Sequence, residues 1–281
     1  MSDPMQVFNR RLKRQHRDRA APRFAEHAFL KEEAAERLLD RLDDLNRTFA
    51  DVLDLGCHTG EVGCLLRTRP GVERLIQCDL SAAMAGQATR NGGLTAVADE
   101  EFLPFRPGAF DLIVSCLSLH WVNDLPGTLA QIRACLKPDG LFLALILGGE
   151  TLKELREVMA EAEIEREGGL SPRVSPFADV RDAGALLQRA GFALPVVDAE
   201  TVTVSYPQAF KLMGDLRGMG EANAVLARRN TPTRRATLLR AVELYSERFG
   251  DDDGRIPASF QFVALTGWAP DASQQKPLRP G

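Results

Sequence analysis

The chain has 281 residues, of which 44% are hydrophobic and 26% are charged, and its formal net charge is −4. This composition is ordinary for a globular protein, and the negative charge excludes a generally basic nucleic-acid binder. The longest unbroken apolar run, Leu141 to Leu147, is too short to cross a bilayer, and no signal-peptide pattern opens the chain. The five cysteines form no C-x-x-C pair, which predicts reduced thiols in a reducing compartment.

Short apolar segments alternate with helical patterns along most of the chain. Residues 31–45 carry alanine and leucine at helical spacing, and Ser81 is a suitable N-cap for the segment that follows it. The predicted helices are 31–45, 61–69, 82–90, 124–136, 151–166, 179–190 and 234–248. The predicted strands are 51–55, 73–79, 94–98, 110–116, 140–147, 196–206 and 256–268. Because most of these strands are apolar throughout, the pattern indicates an α/β fold with a mostly parallel sheet buried on both faces.

The domain organisation predicted from this pattern is simple, since no internal repeat and no interdomain linker interrupts the chain. Residues 51–270 form one α/β domain, and residues 1–50 form a helical, basic segment that covers it. Residues 271–281 have no apolar pattern and are expected to be a disordered tail.

Two acidic residues and a glycine turn predict a nucleoside site. Asp54 ends the first strand, Gly56 and Gly60 lie in the turn after it, and Asp79 ends the second strand. Glycines let the backbone approach a ligand, the following helix offers free N–H groups, and the second acid accepts hydrogen bonds from ribose hydroxyls. The combination is more specific than the glycine pattern alone.

Successive motifs around these residues resemble those of class I S-adenosylmethionine (SAM)-dependent methyltransferases. The motifs are VLDLGCHTGEVGCLL, CDLSAAM, ADEEFLPF, FDLIVSCLSLHWVNDL and LKPDG, which span residues 50 to about 147. The resemblance implies a Rossmann-like fold with seven mostly parallel strands, helices on both faces and helical additions at both ends. It also implies SAM as the cofactor. The residues that it assigns to cofactor binding are Asp54, Gly56, Cys57, Gly60, Asp79, Leu80, Asp99, Glu100 and Ser115.

The resemblance gives these residues separate roles. The turn residues and Ser115 would face the methionine part, Asp79 and Leu80 would hold the ribose and flank the adenine, and Asp99 and Glu100 would lie at the adenine edge. One position departs from the family pattern, because His58 stands where the family usually has glycine. Its side chain is expected to crowd the cofactor or to displace the loop.

A closer resemblance extends from residue 5 to about 268. The segments MQVFNRRLKRQHRDRAA, GGETLKELR, AEIEREGGLSPRVSPF and LRGMGEAN are similar to the mitochondrial complex I assembly factors of methyltransferase fold, described as arginine hydroxylases. Malonyl-carrier-protein methyltransferases of biotin synthesis are more distantly similar. The resemblance implies a bacterial counterpart, in the cytoplasm, that acts on a protein subunit of NADH dehydrogenase. In a eukaryotic source the location would be the mitochondrial matrix.

The reaction itself remains open between two classes. In the first the protein transfers a methyl group, to a protein or to a small-molecule or acyl-carrier carboxyl group. In the second it is an arginine hydroxylase or a non-catalytic assembly factor. The four histidines show no two-histidine, one-carboxylate spacing, so no metal site is predicted and the chemistry favours methyl transfer. The whole-length resemblance favours the second class.

Two residues after the fourth and fifth strands are catalytic candidates. His120 lies where a substrate-facing loop begins and could act as a general base, or it could be a hydrogen-bonded structural histidine. Glu150 follows two glycines and could bind substrate, or it could interact with the dipole of the next helix.

The basic N-terminal segment is a further candidate for function. Residues 1–23 have a net charge of +5, whereas the remainder of the chain has −9. The arginines are expected to dock a protein substrate or to fold over the cofactor site through carboxylate pairs. A cleaved transit peptide and attraction to a membrane surface are the alternatives.

Overall fold

The computed structural model describes residues 6–177 and 180–275, and within these ranges seven strands and nine α-helices build one sheet with helices on both faces. The strands are β1 (Asp51–Leu55), β2 (Arg74–Asp79), β3 (Leu94–Val97), β4 (Phe110–Cys116), β5 (Leu136–Leu147), β6 (Ala193–Tyr206) and β7 (Ile256–Trp268). The helices are α1 (Arg10–Ala20), α2 (Phe29–Asp43), α3 (Glu61–Leu66), α4 (Ala82–Arg90), α5 (Leu125–Cys135), α6 (Lys153–Glu167), α7 (Val180–Arg189), α8 (Ala209–Gly218) and α9 (Arg235–Phe249).

The sheet has the strand order β3-β2-β1-β4-β5-β7-β6. Strands β1 to β5 pair in parallel, and β7 runs antiparallel to both β5 and β6. The strand order reverses on the two sides of β1, so the carboxyl ends of β1, β2 and β4 frame a crevice in which ligands bind in such sheets. The predicted seven-stranded, mostly parallel sheet is therefore confirmed.

The core is divided by the sheet into two apolar layers. Along β5, Leu143 and Leu145 belong to the layer under α2, α6 and α9, whereas Ala144 and Ile146 belong to the layer under α5 and α7. All four side chains are buried. A strand covered on both faces has no polar position to alternate with, which explains the continuous apolar run of the sequence.

Several boundaries differ from the sequence prediction for local reasons. The predicted helix to residue 136 ends at Cys135, and β5 begins already at Leu136 because Leu136 pairs with Phe110 before the register shifts. Helix α3 ends at Leu66 and not at residue 69. The hydrophobic periodicity of the sequence also predicted no helix over the residues that form α8.

The described part of the chain is bonded to the domain near both of its ends, and the backbone N–H of Asn9 donates to the carbonyl of Ala224 at 2.8 Å. Helix α1 begins at its N-cap Asn9, whose side chain accepts a hydrogen bond from the backbone N–H of Leu12. At the other end, the side-chain amide of Gln274 donates to Asp139 at 2.8 Å, so the first residues of the expected disordered tail are bonded to the domain. Residues 276–281, the rest of that tail, lie outside the described residues. None of the described helices is long and apolar enough to span a membrane.

Candidate functional site

The turn after β1 requires glycine at two positions. Gly56 and Gly60 have φ angles of +74° and +97°, in the left-handed region that favours glycine. A Cβ at Gly56 would lie 2.1 Å from Ser118 Oγ, so no larger residue fits there. The N–H groups of Gly56 and Cys57 both donate to the carbonyl of Cys78, at 2.8 and 2.9 Å, which fixes the turn beside β2.

Three carboxylates are buried around this turn. Asp54, Asp79 and Glu100 each have a relative exposure of 0%. Gln77 Nε2 donates to Asp54 Oδ2 at 3.2 Å, while Asp54 Oδ1 has no hydrogen-bond partner among the described residues. Burial raises the pKa of Asp54 to about 6. Such a set of acids and one free acceptor is suited to a ligand that carries positive charge and hydroxyl donors.

Helix α1 places an arginine in the middle of these acids. The fully buried Arg17 guanidinium donates to Asp79 Oδ2 at 3.0 Å, to Glu100 Oε1 at 3.2 Å and to Ser118 Oγ at 2.8 Å. Arg10 pairs with Asp99 at 2.5 Å and also with Glu100. Burial would raise the pKa of Glu100, but the two arginines lower it to about 2. The N-terminal segment therefore covers the acids through arginine–carboxylate pairs, one of the two arrangements expected from its charge.

The structure brings together most, but not all, of the residues expected around the cofactor. Ser115 is buried between strands and donates to the carbonyl of Leu55 at 2.7 Å, whereas Ser118, three residues later, presents its hydroxyl to Glu100 at 2.6 Å. Sequence reasoning missed Ser118, and it expected the N-terminal arginines to pair with carboxylates without singling out Arg17. A signal for Arg17 was present, because Arg10, Lys13 and Arg17 recur at spacings of three and four and so share one helix face.

His58 has a positive φ of 51° and points its ring toward α2. Its Nδ1 lies 2.9 Å from the Gly56 carbonyl and 3.2 Å from Lys31 Nζ, and its ring centroid lies 5.5 Å from that of Phe24. Its backbone N–H donates to Asp79 Oδ2 at 3.1 Å. Burial lowers the pKa of His58 well below its ordinary value, so the ring is neutral at pH 7.

A second buried cluster lies beside the first and includes His120. Glu221 accepts from Lys13 Nζ at 2.6 Å and from Trp121 Nε1 at 2.6 Å, and its Oε2 lies 3.4 Å from His120 Nε2. His120 Nδ1 is buried with no partner among the described residues. Burial lowers the pKa of His120. Burial also lowers the pKa of Lys13 to about 7, although the negative charge of Glu221 raises it in part.

An apolar cavity of about 560 Å³ adjoins this cluster. Trp121 and Glu221 form part of its wall, Leu147 at the end of β5 and Met159 of α6 add apolar surface to it, and Arg173 adds a charged group. Its volume falls in the range of pockets that hold small-molecule ligands. Glu150 does not belong to this wall, since its exposed side chain pairs with Lys153 at 3.2 Å. Among the described residues no group of three or more His, Cys, Asp or Glu side chains is placed to hold a metal ion.

Comparison with known proteins identifies the family. A model described as "Methyltransferase domain" matches residues 24–195. The arginine-hydroxylase NDUFAF5 of Danio rerio is 44% identical over 99% of this chain and 87% of its own length. A malonyl-[acyl-carrier protein] O-methyltransferase of Halorhodospira halophila is 34% identical over 96% of this chain and 92% of its own length.

A solved structure shows the same fold at low identity. Phosphoethanolamine N-methyltransferase 2 of Haemonchus contortus, in complex with SAM, is 17% identical with a TM-score of 0.53 over 84% of this chain and 52% of that chain. The resemblance seen in the sequence motifs is thus confirmed for both the fold and the family. The chain belongs to the family of SAM-dependent methyltransferases.

Proposed function

We propose that this protein binds SAM in the crevice at the carboxyl ends of β1, β2 and β4 and transfers its methyl group to a protein acceptor. The observation that carries the proposal is the set of buried carboxylates Asp54, Asp79 and Glu100 around a turn that only glycine can form. SAM is a cation with two ribose hydroxyls, and these acids are complementary to both features. The present partner of Asp79 and Glu100, the Arg17 guanidinium, is itself a cation with several N–H donors.

In this proposal the cofactor supplies a reactive methyl sulfonium. The protein binds the cofactor, orients the acceptor toward the methyl group and excludes water from the site. Asp79 would accept hydrogen bonds from the ribose hydroxyls with Leu80 beside it, and Asp99 and Glu100 would lie at the adenine edge. The turn residues Asp54, Gly56, Cys57 and Gly60 hold the methionine part, with Ser115 behind them.

His120 is the residue proposed to accept a proton from the acceptor. Its ring is neutral at pH 7, and its Nδ1 is buried without a partner among the described residues. Contact of Nε2 with Glu221 favours the tautomer in which Nε2 carries the proton and Nδ1 keeps its lone pair. Glu150 is kept only as a contact for bound substrate, because its side chain lies in solvent.

The proposed acceptor is a protein subunit of the respiratory NADH dehydrogenase, modified in the cytoplasm of a bacterium. Support comes from 44% identity across 99% of the chain to relatives named arginine-hydroxylase. That name also supports a second candidate function, hydroxylation of an arginine in the same subunit. Identity of 34% to malonyl-carrier O-methyltransferases supports a carboxyl acceptor as a third candidate.

Mass spectrometry of the NADH dehydrogenase subunits from a deletion strain separates these candidates. We expect one subunit of the parent strain to carry about 14 Da, one methyl group, that is lost on deletion and restored by the wild-type chain. A gain of about 16 Da on an arginine would establish hydroxylation instead. Identical subunit masses in the parent and deletion strains would contradict a role in modifying this complex.

Replacing the ribose acid tests the cofactor assignment. We expect Asp79→Asn to weaken binding of S-adenosylhomocysteine, the demethylated cofactor, by one to two orders of magnitude, because charge-assisted hydrogen bonds contribute about 1.5–3 kcal/mol. Asp51→Asn is the matched control, since Asp51 lies at the opposite end of β1 and pairs with Lys137. Calorimetry on both folded variants measures the effect, and wild-type affinity in Asp79→Asn would refute the assignment.

Arg17 occupies the same carboxylates and is expected to compete with the cofactor. Arg17→Gln should bind S-adenosylhomocysteine more tightly than wild type, while its unliganded form should be less stable by about 3–5 kcal/mol because buried acids lose a cation. Arg14→Gln, an exposed position on the same helix, is the control. Calorimetry and thermal unfolding report the two effects. Weaker binding by folded Arg17→Gln would show instead that Arg17 is itself a cofactor contact.

The His58→Gly variant tests the departure from the family pattern. We expect tighter cofactor binding, since glycine adopts the observed φ of 51° without strain and adds space beside Gly56. Titration of S-adenosylhomocysteine against wild type and His58→Gly gives the answer. A fall in affinity would mean that the contacts of the ring with Lys31 and Phe24 hold the turn in shape.

A further inference from the structure

Some basic residues of the N-terminal segment do not pair with the buried carboxylates of the crevice. Arg10, Lys13 and Arg17 are engaged in buried or partly buried ion pairs. Arg19 and Arg23, by contrast, are exposed. The end of α1 and the short turn after it bring these two arginines together with His16 and His27, and all four side chains line one pocket.

This face lies opposite α8 and forms a pocket of about 370 Å³ with it. We call it the basic pocket, and its lining residues are His16, Arg19, Ala20, Arg23, His27, Gly214, Arg217, Gly218 and Ala222. No carboxylate belongs to this lining. Two acids lie nearby and offset part of the charge: Glu26 pairs with Arg23 at 2.5 Å, and Asp215 pairs with His27 at 2.8 Å and with Lys211. Arg19 and Arg217 form no ion pair with any described residue.

Two glycines of α8 shape the pocket. A Cβ at Gly218 would lie 2.2 Å from the His27 ring, so the helix can approach the N-terminal segment this closely only with glycine there. A Cβ at Gly214 would meet nothing within 4 Å, so this position faces open space. The pocket is therefore a formed concavity between two helical segments rather than a row of solvated side chains.

The basic pocket adjoins the apolar cavity beside Trp121. Arg217 and Ala222 line both. The cavity has an apolar interior, with Met213 and Leu155 in its wall, and further arginines at its polar side. A ligand that fits both spaces carries negative charge at one end and an apolar group at the other, and it is longer than a small anion.

We propose that the basic pocket binds an acidic peptide segment of the acceptor protein, whose adjoining apolar side chain enters the cavity. The inference rests on the proposed function in one respect, that the acceptor is a protein. Positive charge in a concavity attracts and orients a negatively charged partner, and arginine binds carboxylates through two parallel hydrogen bonds. The charge of Arg19 and Arg217 is available for this because neither is neutralised within the described chain.

The test uses a labelled hexaglutamate peptide and fluorescence anisotropy on the full chain. We expect the double variant Arg19→Glu/Arg217→Glu to bind it roughly tenfold or more weakly, because two attractive pairs become repulsive. Arg11→Glu/Arg14→Glu changes the net charge equally at exposed positions of the same helix outside the pocket, and it should lose less than about threefold. Equal losses in both variants, or equal binding of hexaglutamine, would overturn the proposal.

A second pair of variants tests the pocket from inside. Gly214→Glu should place a carboxylate beside the arginines and block the peptide, whereas Gly214→Gln has the same size and should block it much less. Full displacement of the peptide by millimolar inorganic phosphate would overturn the assignment in favour of a phosphate site. Binding of S-adenosylhomocysteine is measured in parallel: its absence refutes the proposed function, and its presence without peptide binding refutes only this inference.

Discussion

A guanidinium that is removed from water needs carboxylate partners, and Arg17 meets this need at the centre of the molecule. Its two acids are Asp79, the last residue of β2, and Glu100, which lies three residues after the end of β3. Each charge would be costly to bury alone, whereas the ion pairs and the Ser118 hydroxyl bind both terminal nitrogens of the guanidinium. The position of α1 follows from this requirement. The segment around Gly220 packs closely against α1, because a Cβ added at Gly220 would lie only 3.3 Å from the Arg17 backbone.

The positions of Asp54 and Asp79 could be predicted from the sequence because the ends of their strands could be predicted. Strands β1 and β2 each contain a short cluster of apolar residues, so their carboxyl ends can be located in the sequence to within about one residue. Asp54 and Asp79 follow directly from that boundary. Ser118 does not, because it lies in a short irregular segment after β4, where a residue's direction depends on the turn and not on strand periodicity. Glu221 gives no local signal either, since its partners lie about a hundred residues or more away in the sequence.

The helices also differ in how well the sequence predicts them, because they bury different kinds of side chain. Helix α2 buries a broad leucine and alanine face, which produces the apolar period of an amphipathic helix. Helix α1 buries Lys13 and Arg17 together with Ala20, so the face directed inward is largely charged and no apolar period results. Hydropathy patterns detect burial by apolar contact only. A helix held by ion pairs has to be found from the spacing of its charges.

The spacing of those charges also connects the two halves of the site. Lys13 and Arg17 are one helical turn apart, and they reach different clusters: Arg17 binds the acids of the crevice, and Lys13 binds Glu221 in the wall of the apolar cavity. A rigid α1 cannot withdraw from Asp79 without also drawing Lys13 away from Glu221. Removal of that cation would raise the pKa of Glu221 and also the pKa of His120, because the charge of Lys13 lowers both. In the proposed function, exchange of Arg17 for the cofactor in the crevice would therefore also change the electrostatics of the cavity in which an acceptor would lie.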